Sequence, residues 1–186
     1  MTKPSTFVLS REFAIPRDRM YAIWTSMETL GRAFGSDAPP DPRCVLDLRP
    51  GGSYHYVQVG PDGNEMWGFW EFTDITPGHR MQWLHGFADA HRERHCHPMA
   101  PAWPLILLST VTFEDTDGEA KPTDQAATRV TITWEPYGST ASEDAAFEAS
   151  HDGVRGGWTA SFDHLARYVG SLAEASPGDQ ADPSPP

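Results

Sequence analysis

Positive charge is scarce in this chain. Fourteen Lys and Arg stand against 26 Asp and Glu, a formal net charge of −12. Such a surface repels phosphate backbones and anionic lipids alike, so neither nucleic acid nor a membrane is an expected partner. Long apolar runs are also missing. The longest is Leu105 to Leu108, far short of the roughly 20 residues that span a bilayer. The first residues carry no apolar signal-like stretch, and the expected location is the cytoplasm. Cysteine is nearly absent: Cys44 and Cys96 show no Cys-x-x-Cys spacing. Two cysteines in 186 residues make no disulfide framework, so both are expected to be reduced. There is no Gly-x-Ser-x-Gly elbow, phosphate loop or dinucleotide fingerprint. Nucleophilic hydrolysis, nucleotide chemistry and Rossmann redox chemistry are therefore disfavoured, and no cofactor is expected.

What remains is a pattern of turns and alternating strands. Phe7, Leu9, Arg11 and Phe13 alternate with their neighbours as a first strand, which Pro16 ends. Met20, Ile23 and Trp24 then form an apolar stripe on a short helix, and Leu30, Ala33 and Phe34 suggest a second. After a proline-rich loop the period changes to two. Strands over Val45 to Leu48, Ser53 to Val59, Glu65 to Ile75 and Met81 to Phe87 are separated by Pro50-Gly51-Gly52, Pro61-Asp62-Gly63-Asn64 and Pro77-Gly78 turns. Leu105 to Phe113 and Thr128 to Trp134 supply two more, with the acidic, low-order segment Glu114 to Ala127 between them.

The last element is the clearest. Phe147, His151, Val154, Trp158, Phe162, Leu165 and Val169 recur every three or four residues, one face of a helix over about Ser142 to Gly170. Ser142 or Thr140 suits its N-cap, and Glu143 and Asp144 suit its positive dipole end. Gly153, Gly156 and Gly157 inside it each cost about 1 kcal/mol relative to alanine, so something, sheet or ligand, is expected to approach the backbone there. Strand, helix pair, meander and closing helix make an α+β order. We expect a curved antiparallel sheet of six to seven strands wrapped around the long helix, one domain over residues 1–170, and a disordered tail over 171–186.

On these residues the chain resembles the homologues of the activator of the heat-shock-protein-90 ATPase, within the START-like, polyketide-cyclase superfamily of helix-grip folds. The matching stretches are Ala14-Ile15-Pro16-Arg17 leading into Ala22-Ile23-Trp24-Thr25, then Asp47-Leu48-Arg49-Pro50-Gly51-Gly52, Met66-Trp67-Gly68 and Ile75-Thr76-Pro77. Trp103-Pro104, Thr110-Val111-Thr112-Phe113, His151-Asp152 and Gly156-Gly157-Trp158 follow in the same order. The resemblance implies a cavity between sheet and helix that holds a hydrophobic or amphipathic small molecule. A Trp pair frequent in that family near Ala33-Phe34 is missing.

Seven Trp, five Tyr and nine Phe exceed the needs of a small core. Tyr54 and Tyr56, Trp67 and Phe69, Trp83 and His85, and Trp158 with Phe162 share faces on three strands and the helix. Together with His151 they are the expected ligand-binding residues, provided each strand is read in the correct phase. His91, Glu93, His95, Cys96 and His97 are ligand-type side chains, but their adjacency and the flanking prolines favour a solvated rim, and no metal is expected. The loop carrying them could instead cover a pocket mouth. His151 reads either as a hydrogen-bonded core residue or as an acid or base, with His85, His55, Tyr54, Tyr56 or Glu71 as partner. Three roles stay open: a binding module for a small apolar or aromatic molecule, a cyclase, dehydratase or hydrolase using the same cavity, and a chaperone-associated interaction module. A homodimer is likewise open.

Overall fold

A computed structural model describes residues 5–60, 62–98, 100–116 and 126–174. Strand β1 (Phe7–Phe13) is followed by helices α1 (Arg17–Thr25) and α2 (Met27–Ala33). The meander then runs β2 (Val45–Leu46), β3 (Ser53–Val59), β4 (Glu65–Thr76), β5 (Arg80–Ala88), β6 (Arg94–His95), β7 (Leu107–Asp115) and β8 (Thr128–Pro136). Helices α3 (Ala141–Ala149) and α4 (His151–Glu174) close the chain. The eight strands lie in the order β1-β8-β7-β5-β4-β3-β2, with β6 paired to β5, and every pairing is antiparallel. The strand expected over Val45 to Leu48 is only the two-residue pair Val45–Leu46, and β6, also two residues long, is the one strand beyond those expected.

Alternation on the strands separates two faces. Trp70 and Phe72, Met81 and Trp83, Leu107, Val111 and Phe113, and Val130 and Ile132 are buried on the face toward the helices. The Pro50-Gly51-Gly52 turn feeds this sheet directly: Gly51 N–H donates to Phe72 O at 2.8 Å, and Gly51 holds φ +77°, a conformation that favours glycine. Thr128 Oγ1 donates to Ile15 O at 2.7 Å, fixing the chain where it leaves β1 for α1.

The closing helix is interrupted. Thr140 caps α3 in a capping box with Glu143, and the element ends at Ser150, whose Oγ donates to Phe147 O at 2.6 Å. Ser150 N–H also bonds Phe147 O, at 3.1 Å, tightening the turn to an i→i−3 bond before α4 restarts at His151. One apolar stripe therefore spans two helices rather than a single one from Ser142. Helix α4 also continues past Gly170 to Glu174. Of the tail expected over residues 171–186, residues 171–174 are therefore helical and 175–186 lie outside the described residues, as do residues 117–125 of the acidic segment between β7 and β8. No helix among the described residues is long and apolar enough to cross a membrane.

Candidate functional site

Within the grip the sheet and α4 do not meet everywhere. A cavity of about 670 Å³ opens between them, within the range of small-molecule sites. Its floor is the inner face of β3, β4, β5, β7 and β8, carrying Tyr56, Trp70, Trp83, His85, Ser109 and Trp134. Its roof is α4, with Gly153, Val154, Gly157, Trp158 and Ser161. His97 and Trp103 from the connection between β6 and β7 close one side. Among the described residues no Asp, Glu, Lys or Arg lines it.

Ring contacts organise these walls. Trp70 stacks on Trp83 at 4.6 Å, and Trp134 sits 4.7 Å from the His85 ring and 5.6 Å from Trp158. Tyr56 lies against Gly68 across the β3–β4 pair, where a Cβ would collide with the phenol ring. A glycine opposite an inward tyrosine is thus a requirement of packing at this pair.

His85 is the polar centre. Its Nδ1 lies 2.8 Å from Ser109 Oγ, and Ser109 is fully buried. Burial pushes the imidazole down to about 3, so it is neutral at ordinary pH. Burial also pushes the Tyr56 phenol up to about 12, against a hydrogen bond from Trp70, and pushes the His97 imidazole down. Every titratable group on the wall is therefore uncharged near pH 7.

Of the residues expected from sequence, Tyr56, Trp83, His85 and Trp158 line the cavity. Tyr54 and Phe162 share the inner side but are packed behind it: Tyr54 is edge-on to Trp70 at 5.1 Å, and Phe162 meets Phe13 at 5.5 Å. His151 is half-buried and is not among the residues that line the cavity. Its Nε2 is 3.5 Å from Ser5 Oγ, and its ring is edge-on to Phe147 at 4.9 Å.

Trp67 and Phe69 are corrected, because β4 has the opposite phase. Met66, Gly68, Trp70 and Phe72 point inward, so Trp67 and Phe69 fall on the far face. There Trp67 stacks on His55 at 4.8 Å beneath Arg43, and Arg94 covers Phe69. His55 is occupied too, its Nε2 lying 2.9 Å from Asp89 O, and Glu71 accepts from Arg94. Neither is available as a partner for His151.

Sequence reasoning missed Trp70, Trp134, Phe34, Ser109 and Trp103 as lining residues. The signal for Trp70 was Gly68, since a glycine two residues away marks the crowded inward phase. The histidine-bearing connection contributes His97 and Trp103 to the wall, with His97 edge-on to Phe87 at 4.7 Å. Among the described residues no three His, Cys, Asp or Glu side chains gather as an ion site.

Residues 14–170 match the family of Activator of Hsp90 ATPase homolog 1-like proteins. The chain belongs to that family. Solved structures agree on the fold. A crystal structure of a Mycobacterium smegmatis protein matches with a TM-score of 0.65 at 25% identity, over 89% of this chain and 90% of that one. A solution structure from Arthrobacter aurescens gives 0.65 at 23%, covering 90% and 87%. A Rhodobacter sphaeroides crystal structure gives 0.66 at 16%, covering 91% and 94%. No curated protein matches the chain.

Proposed function

We propose that this protein binds a small apolar or aromatic molecule in the cavity between its sheet and α4. The observation that carries this reading is a cavity of about 670 Å³ walled by aromatic rings, with no charged side chain among its lining residues. A ligand seated in a volume of that size would gain dispersion contacts with the rings that wall it. Proton-transfer chemistry is less well supported. A catalytic acid or base works best near the ambient pH, whereas His85 is held near 3 and Tyr56 near 12. We place the protein in the cytoplasm, in keeping with its two free cysteines, one of them exposed.

The test is a thermal-shift panel of neutral aromatic compounds, paired with native mass spectrometry of protein purified without denaturant. Occupancy at a hundredfold over Kd adds about 2.7 kcal/mol, which raises the melting temperature by several degrees. If no compound shifts melting and no copurified mass is released on denaturation, the proposal fails.

A further inference from the structure

Three features of the cavity point to its ligand. The first is the state of His85. Ser109 is fully buried, and among the described residues its hydroxyl has only one partner, His85 Nδ1. A buried hydroxyl proton without an acceptor is costly, so Ser109 donates and Nδ1 accepts. The neutral ring then carries its proton on Nε2. That nitrogen has no hydrogen-bond partner among the described residues, and the ring lines the cavity. Beside it, Trp134 holds a buried Nε1–H that also has no acceptor. The imidazole Nε2–H is thus a donor on the wall without a protein acceptor among the described residues.

The second feature is the absence of charge. A charged ligand would enter without a counter-ion among the described residues, none of whose Asp, Glu, Lys or Arg side chains lines the cavity.

The third is the α4 roof. Gly153 and Gly157 lie one turn apart and both line the cavity. A Cβ added at either would meet no protein atom within 4 Å. Sheet packing therefore does not require these glycines, although each costs helix stability. What they create is a bare strip of backbone facing an open space rimmed by Tyr56, Trp83 and Trp158.

We infer that the cavity selects an uncharged, flat aromatic molecule bearing a carbonyl-type acceptor, its ring laid along the Gly153–Gly157 strip and its oxygen receiving the Nε2–H of His85. This rests on the binding reading above and narrows it to one ligand class. Ser109 acts as a positioning residue that fixes the imidazole tautomer.

Three probes of one shape separate the possibilities by calorimetry: 2-acetylnaphthalene, 2-ethylnaphthalene and 2-naphthoate. The ketone should bind about tenfold more tightly than the hydrocarbon, because only it satisfies the buried donor. The carboxylate should bind at least about a hundredfold more weakly than the ketone. His85→Phe should erase the preference for the ketone while keeping hydrocarbon binding. Gly153→Ala and Gly157→Ala should each raise the melting temperature by about 2–4 °C yet weaken the ketone about fivefold. Gly156→Ala, which does not line the cavity, should raise melting without changing affinity.

Equal affinity for ketone and hydrocarbon in the wild-type protein would overturn the acceptor assignment, whatever the variants do. Tight naphthoate binding would overturn the neutrality requirement. Undiminished ketone affinity in both glycine variants would overturn the strip. Each of these leaves the binding proposal standing, whereas failure of all three probes to bind would remove that proposal itself.

Discussion

The two ends of the grip are built from the same helix and the same sheet, yet one is solid and the other hollow. At the solid end Met20, Trp24 and Leu30 of α1 and α2 are buried against Phe113 and the later part of α4, where Phe162, Leu165 and Val169 project. Trp24 meets Phe34, Phe113 and Trp158 there within 6.4 Å. At the hollow end α4 offers Gly153 and Gly157 instead, and the only contribution from the α1–α2 side is Phe34, the C-cap of α2. Side-chain size along one helix thus decides where the core stops and the cavity starts. The solid end carries the stability, which leaves the other end free to remain unfilled.

The sharpest way to break this comparison is to truncate one tryptophan at each end. Trp24→Ala should cost about 3–5 kcal/mol in urea denaturation, as expected for a fully buried large side chain. Trp103→Ala at the hollow end should cost less than about 2 kcal/mol, since one side of that ring already faces open space. Equal losses would mean that the cavity wall is as integral to folding as the core.

Acid should find the hollow end first. An unfolded imidazole binds its proton near pH 6.5, whereas His85 does so only near 3 in the folded protein. Between those values the unfolded state holds more protons, so His85 costs stability progressively as pH falls from about 6.5 toward 3 and costs none above. His85→Phe should flatten that part of the stability–pH curve; an unchanged slope would place the acid-sensitive groups elsewhere.

A smaller effect is expected from Thr140→Ala, about 1 kcal/mol through loss of the α3 cap. Because α3 carries Phe147, whose ring meets Trp103 at 5.4 Å, ligand affinity at the hollow end should weaken as well. A loss of stability with unaltered affinity would show that the rim is independent of α3.

The architecture was readable because its signals are local. Period-two alternation, the proline and glycine turns, the paired short helices and the apolar stripe each need only neighbouring residues. The cavity was read less completely, for three physical reasons. Strand β4 carries Trp67, Phe69, Trp70 and Phe72, aromatics on both faces, so hydrophobicity alone could not set its phase. The far face is itself covered, with Phe69 only 7% exposed, which defeats the usual contrast between inside and outside. Tyr54, Phe162 and His151 were assigned to the correct side, but which part of an inner surface remains empty depends on contacts distant in sequence. The glycines of α4 suggested an approach by sheet or ligand, and the structure sets open space rather than sheet beside them.

The placement of the tryptophans has an optical consequence. Trp70, Trp83, Trp103, Trp134 and Trp158 surround the cavity, while Trp24 is sealed in the core and Trp67 lies on the opposite face. Indole emission shifts with local polarity, and Trp70 and Trp83 stack with ring centroids 4.6 Å apart. Filling the cavity would change the surroundings of several of these chromophores at once. The protein therefore carries its own unlabelled gauge of occupancy, against which any extract can be read.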